Sequence, residues 1–274
     1  MLLLTDFRFA TVSELFRYKK NGFKLPPFHG YTPDQWGIKA HNRPWIEEAG
    51  SFVANQKIIE VGGAYSTLPA YLASKYKLEA WVGDDFGEGA GELKTWARWG
   101  DPRELSSVWP DTKYVFKPFG KFSKEYPDDY FDRVFSVSTL EHIPYKKIPS
   151  VFEDMHRVLS AKGFELHTID IAPRGYKNLI AASVLEKISL KLGIDMFRGK
   201  ARWLSPTWHW LKTIEKSGVD ISGVTSENYP YSDRLLNKDT LFESYDAVYR
   251  FYPPNDAPKR YNPSGSLLVK IQDV

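Results

Sequence analysis

Apolar residues in this chain fall into short runs and helical stripes that alternate in a regular order. Lys57 to Val61 is a brief, mostly apolar run, the signature of a strand buried on both faces. Thr67 to Lys75 spaces its apolar residues as a helix, with Pro69 in the first turn, where proline is tolerated. Leu78 to Gly83 predicts a second strand, Lys113 to Phe116 a third and Asp132 to Ser138 a fourth. Ile148 to Leu159 carries Val151, Met155, Val158 and Leu159 at the spacing of an amphipathic helix. A turn at Ala161-Lys162-Gly163 leads into a fifth strand, Phe164 to Ile169. Strands alternating with helices predict an α/β domain on a doubly wound, mostly parallel sheet with helices on both faces.

The rhythm loosens on either side of this core. Residues 1–55 read as a helical and irregular extension, and residues 56–274 as the main domain. In the extension, Thr11 to Lys20 predicts a helix with Val12, Leu15 and Phe16 on one side, stopped by Asn21-Gly22. Pro26-Pro27, Gly30 and Pro33 mark irregular chain, and a second helix is expected from Arg43 to Ala54. Between strands two and three lie Gly87, Gly89 and Gly91, then a helix-like Glu92 to Trp99. Past Asp170, helices are expected at Leu179 to Leu192 and from Ser205-Pro206 onward, the latter with Trp210, Leu211 and Ile214 on its apolar face. Val219 to Val224 reads as a sixth strand and Ser266 to Ile271 as the last. The stretches around 172–204 and 225–262 read as insertions that cap the sheet.

Composition narrows the functions. The 274 residues are 42% hydrophobic and 26% charged, ordinary for a globular chain. A formal charge of +3 does not argue for nucleic acid or an anionic membrane as partner. The absence of cysteine excludes disulfides, thiolate catalysis and cysteine-zinc sites. Met1-Leu2-Leu3-Leu4 meets Asp6 and Arg8 too soon for a signal peptide, and no run approaches the ~20 apolar residues of a membrane span. A soluble, cytoplasmic protein is the expectation. No metal-ligand spacing is visible, so no metal is expected. Aromatic residues make up 15% of the chain, with nine Trp and sixteen Tyr. Beyond core packing, such rings suit the walls of a pocket for sugars, aromatic metabolites or a cation.

In a doubly wound sheet, ligands bind beyond the carboxyl ends of the strands, where the strand order reverses. Four distant segments meet that condition: Gly62-Gly63-Ala64-Tyr65-Ser66 after strand one, Asp84 and Asp85 after strand two, Ser138 to His142 after strand four, and Asp170 at the end of strand five. Small residues let backbone approach a ligand closely, and an acid about 20 residues later can take both ribose hydroxyls of an adenosine.

Three stretches carry a family likeness: Glu60-Val61-Gly62-Gly63, the run Phe131-Asp132-Arg133-Val134 through Leu140-Glu141-His142, and Arg157-Val158-Leu159-Ser160-Ala161-Lys162-Gly163. Together, across roughly residues 56–171, they resemble the class I S-adenosylmethionine-dependent methyltransferases. The resemblance implies a seven-stranded sheet with the last strand antiparallel, and S-adenosylmethionine as cofactor. It also implies that Glu60, Gly62, Gly63, Ala64, Tyr65 and Ser66 form the cofactor turn, with Glu60 either touching the ligand or bonding nearby backbone amides to shape the loop, that Asp84 or Asp85 takes the ribose, and that Ser138 and Leu140 lie against the cofactor. Distance past the turn favours Asp85 over Asp84. Ala64 and Ser66 stand where the family has glycines, and Tyr65 is expected to put a ring beside the site. Lys117-Pro118-Phe119 stands where many members carry an adenine-binding Asp.

His142 is the candidate general base, with a loop-fixing role as the alternative. Asp170 could orient or deprotonate an acceptor, or cap the next segment. His209, between Trp208 and Trp210, is a weaker candidate. The aromatic, polar insertions point to O-methylation of a sugar, glycan or polar small metabolite. N-methylation of a small amine and a catalytically silent binding module are the alternatives. A dehydrogenase is disfavoured, because the Gly-x-Gly-x-x-Gly spacing is lost.

Overall fold

The predicted runs become strands of one sheet. A computed structural model of the chain describes residues 1–28, 39–85, 100–171, 207–224, 239–241 and 265–273. Its elements are β1 (Leu2–Phe9), α1 (Val12–Lys20), α2 (Lys39–Gly50), β2 (Lys57–Val61), α3 (Leu68–Tyr76), β3 (Glu79–Gly83), α4 (Leu105–Val108), β4 (Thr112–Val115), β5 (Phe131–Val137), α5 (Ile148–Val158), β6 (Leu159–Ile171), α6 (Thr207–Lys216) and β7 (Gly265–Asp273). The seven strands are ordered β1-β7-β6-β5-β2-β3-β4. β4, β3, β2, β5 and β6 run parallel to one another. β7 is antiparallel to β6 and to β1, as expected for the last strand. The chain leaves β2 towards β3 on one side and returns to β5 on the other, so the switch point lies between β2 and β5.

The first strand departs from the expectation of a helical or irregular start. Leu2–Phe9 is an edge strand paired along β7. A bulge between Leu4 and Asp6 shifts the register and turns Leu4 and Phe7, 1% and 4% exposed, into the same core. That bulge breaks the period of two that would have announced a strand. β1 takes the edge position next to β7. The expected sixth strand, Val219 to Val224, is reduced to a single bridge beside β1: Leu4 N–H donates to Asp220 O and Asp220 N–H to Leu2 O, both at 2.8 Å.

The other elements follow local chemistry. Thr11 caps α1 through a capping box with Glu14, and the chain turns at Asn21-Gly22. α2 runs four residues earlier than its apolar pattern suggested and ends at Gly50. The turn expected at Ala161 to Gly163 is a wide bulge inside β6: Phe131 pairs with Leu159, and Arg133 next pairs with Phe164. One apolar layer packs the sheet against α5 and α6, with Phe152, Met155, Trp210 and Ile214. The other packs it against α1, α2 and α3, with Leu15, Ile46, Leu68 and Leu72. Burial of each such side chain contributes roughly 1.5–3 kcal/mol.

Within 225–262 the described piece is 239–241. Asp239 accepts hydrogen bonds from the Ser13 N–H and hydroxyl, and Leu241 is buried. The glycine patch at 87–91, the helices at Glu92 to Trp99 and Leu179 to Leu192, the Ser205-Pro206 start and the rest of both cap segments lie outside the described residues. Among the described residues no helix is long and apolar enough to cross a membrane, and no cluster of three or more Asp, Glu or His could hold a metal ion.

Candidate functional site

At the carboxyl end of β2 the chain must turn sharply beneath the next crossover. Gly62 takes φ +72°, and a Cβ there would come within 2.0 Å of the Thr139 methyl carbon. Thr139 Oγ1 donates to Gly62 O at 3.1 Å, so the segment after β5 is fastened directly to the glycine turn. Gly62 N–H in turn donates to Gly83 O at 2.8 Å, tying the turn to the end of β3. Ala64 N–H donates to Asp84 Oδ2 at 2.9 Å. One carboxylate of the predicted acid pair therefore shapes the turn itself, and Asp85 follows it, half-buried. Ser66 N–H closes the turn onto Gly63 O at 2.6 Å.

Tyr65 departs from its expected place. Its ring is 3% exposed and packs with Phe28, Val82 and Leu105, while its hydroxyl donates to Gly100 O at 2.6 Å. The ring belongs to the core under the turn. Leu140 is likewise buried in the core. Phe119, from the segment lacking the adenine-binding acid, stacks on Tyr126 at 4.5 Å under Gly83.

Glu60 is buried beside the turn. Burial pushes its carboxyl up to about 7, against a hydrogen bond from Ser66 and the nearby charge of Arg43. Its Oε2 has no hydrogen-bond partner among the described residues. A buried oxygen of that kind calls for a donor, and the hydroxyls and ammonium of an adenosyl amino acid supply donors, so the residues at this edge fit such a group.

A second polar group lies across the switch point. Ser138, in the left-handed region at φ +52°, directs its hydroxyl to Asp170 Oδ1 at 2.6 Å. Lys39 Nζ donates to Asp170 Oδ2 at 3.0 Å, and Asn42 Nδ2 donates to Ser138 Oγ at 3.1 Å. Beside them Glu141 is fully buried. The neighbouring His142 has a side chain 61% exposed, with its Nε2 3.8 Å from Glu141 Oε1. The structure thus brings together the glycine turn, Asp84, Ser138 and Asp170 at one edge and sets His142 on its rim. The side chain of His209 lies outside the described residues.

Sequence reading missed Lys39, Asn42 and Arg43, and it gave Glu141, inside the Ser138 to His142 segment, no role of its own. The first three stand at i, i+3 and i+4, one face of α2. A polar stripe at that spacing is the only signal for them, and it ordinarily marks a solvated face. Here Asn42 and Arg43 are buried against the sheet edge.

Residues 113–166, from β4 into β6, match a family model described as a methyltransferase domain. No curated protein matches the chain. Among solved structures, a Bacillus halodurans protein is 14% identical with a TM-score of 0.49, covering 85% of this chain and 98% of its own. Haemonchus contortus phosphoethanolamine N-methyltransferase 2, in complex with phosphomonomethylethanolamine and S-adenosylhomocysteine, is 14% identical with a TM-score of 0.49; the match covers 96% of this chain and 58% of that one. Geranyl diphosphate C-methyltransferase of Streptomyces coelicolor is 8% identical with a TM-score of 0.45, covering 86% of this chain and 79% of that one. Similarity at this level says nothing about what this chain acts on.

Proposed function

We propose, from the premise that this chain is an S-adenosylmethionine-dependent methyltransferase of the Rossmann-like class I type, that its acceptor is a hydroxyl of a sugar or similarly polar small molecule. S-Adenosylmethionine supplies an electrophilic methyl group on a sulfonium. The backbone of Gly62 to Ser66, with Glu60, Asp84, Asp85, Ser138 and the Leu140 segment, holds it. The observation that carries the acceptor reading is Asp170: a carboxylate at the switch-point edge, with each oxygen oriented by a separate donor, Ser138 and Lys39. So positioned, Asp170 accepts the proton of an acceptor hydroxyl, and the exposed His142 at the rim is the alternative base. Both are groups for aligning an acceptor and removing its proton, which an oxygen nucleophile needs more than an amine does.

Asp84 is the ribose acid in this reading, although distance along the sequence favoured Asp85. The hydrogen bond from Ala64 N–H aims the Asp84 carboxylate over the turn, and a carboxylate retains further lone pairs for ribose hydroxyls. Calorimetric titration checks this: Asp84→Ala weakens S-adenosylmethionine binding at least about tenfold, and Asp85→Ala by less than about threefold. The reverse order restores Asp85.

The acceptor is tested with methyl-labelled S-adenosylmethionine against a panel of sugars, polyols and small amines. Label is expected on hydroxyl carriers, with Asp170→Asn cutting turnover by about 100-fold or more while cofactor affinity stays within about threefold. Label on amines alone overturns the reading.

A further inference from the structure

Glu141 is the buried acid that this reading leaves without a task. It has no exposed surface, and neither carboxyl oxygen has a hydrogen-bond partner among the described residues. The backbone amides of Glu141 and Asp170 lie near enough to favour its charged form, yet neither is aligned as a hydrogen bond. The groups that face it come from three elements: Asp170 at the end of β6, Lys39 at the start of α2, and His142 beside it. One lysine therefore serves two carboxyl groups, and Lys39 is already bonded to Asp170. Burial first, and the Asp170 charge second, push Glu141 well above the ordinary carboxylate range, while Lys39 pulls it back. Burial without a hydrogen-bond partner favours the protonated form of the resting group. Its loop is fastened to the glycine turn through Thr139 and Gly62, so it sits beside whatever the turn holds.

We propose that Glu141 releases its proton when a sulfonium-bearing ligand binds at this edge, and that the Glu141–Asp170 pair recovers a proton from the acceptor once that positive charge is gone. The inference rests on the methyl-donor reading above. The charges balance at each stage. Before binding, the Lys39–Asp170 ion pair faces a Glu141 whose neutral form is favoured. With a sulfonium present and Glu141 ionised, two positive charges face two negative ones. The pair then takes up the hydroxyl proton that leaves as the oxygen–carbon bond forms and the carbon–sulfur electron pair stays on sulfur. The cluster returns to its starting protonation with the product S-adenosylhomocysteine, which has no sulfonium to hold Glu141 ionised. A buried carboxyl pair with one cation thus distinguishes donor from spent donor by charge alone.

The test is calorimetry on the full chain with S-adenosylmethionine and with S-adenosylhomocysteine, each at pH 7 in two buffers of different ionisation enthalpy. The parent should release about one proton on binding the first and almost none on binding the second. Its affinity for S-adenosylmethionine should rise by up to about tenfold per pH unit below the titration of Glu141, with S-adenosylhomocysteine flat. Glu141→Gln should abolish both the release and the pH slope. Lys39→Met provides a second route if that variant folds poorly: with the cation gone, the pH at which affinity levels off moves upward. Equal proton release in Glu141→Gln, or equal release with S-adenosylhomocysteine, overturns the inference and leaves the methyl-donor reading standing. Failure of the parent to bind S-adenosylmethionine overturns both.

Discussion

At Gly62 two demands meet on one atom. The backbone must take a left-handed φ, and the space a Cβ would fill belongs to the Thr139 methyl. Gly62→Ala should therefore lose about 1–2 kcal/mol from the backbone and a further 1–3 kcal/mol from overpacking, read as a lower denaturant midpoint. Adding Thr139→Ala should recover the packing part and leave the backbone part. Full recovery in the double variant would mean that the conformation at Gly62 carries no strain for alanine. Glu60 and Gly62 were legible as a glycine-turn motif because they are contiguous. The place of Tyr65 was not, because the direction of a ring depends on Phe28 and Leu105, far away in the chain.

At the scale of elements, β1, α1 and α2 are joined by one chain of polar contacts that ends at Ser138. Arg8 from β1 donates to Glu14 on α1, with Nη2 2.7 Å from Oε1, and Glu14 Oε2 lies 3.1 Å from Nε2 of the fully buried His41 on α2. Burial alone would raise Glu14, but the bonds from His41 and Arg8 hold it below the ordinary carboxylate range. The next residue of α2, Asn42, reaches Ser138. Deleting residues 1–9 removes Leu4 and Phe7 from the core and leaves β7 an open edge. The loss of two buried side chains, roughly 1.5–3 kcal/mol each, should lower the thermal midpoint by about 10 °C or more and promote aggregation. A soluble variant with an unchanged midpoint would mean that residues 219–224 can take over the edge. The helices α1, α3 and α5 were readable from their apolar stripes and stop signals. β1 was not, since its bulge breaks the alternation and its partner, β7, lies at the opposite end of the chain.

Across the whole molecule, buried acids are placed in opposite electrostatic settings on the two sides of the sheet. On the α5 side, Glu165 lies between His156 at 3.5 Å and His167 at 3.1 Å, and His167 also contacts Ser136 at 2.9 Å. Burial alone would raise Glu165, but the two histidines hold it at about 2. Its stabilisation is present above about pH 4.5, the unfolded value, and fades as the pH falls towards 2. Glu60 at the carboxyl edge is shifted the other way, so its contribution is full below about 4.5 and is lost as the pH rises through about 7. The thermal midpoint of the ligand-free chain should therefore peak in mild acid. Glu60→Gln should flatten the fall on the alkaline side, worth up to about 3 kcal/mol, and Glu165→Gln should flatten the acid side. A parent midpoint that climbs steadily from pH 5 to pH 8 would contradict this placement of charge. The amino-acid sequence by itself determined the alternation of strands and helices, the parallel sheet and the glycine turn, because each rests on apolar periodicity or on a short contiguous motif. Only the tertiary structure decided which strand closes the sheet edge, that Lys39 and Asn42 reach Asp170 and Ser138, and that Glu141 is sealed from water. Those are pairings between residues far apart in the chain, and a polar residue carries no local mark of whether packing will bury it.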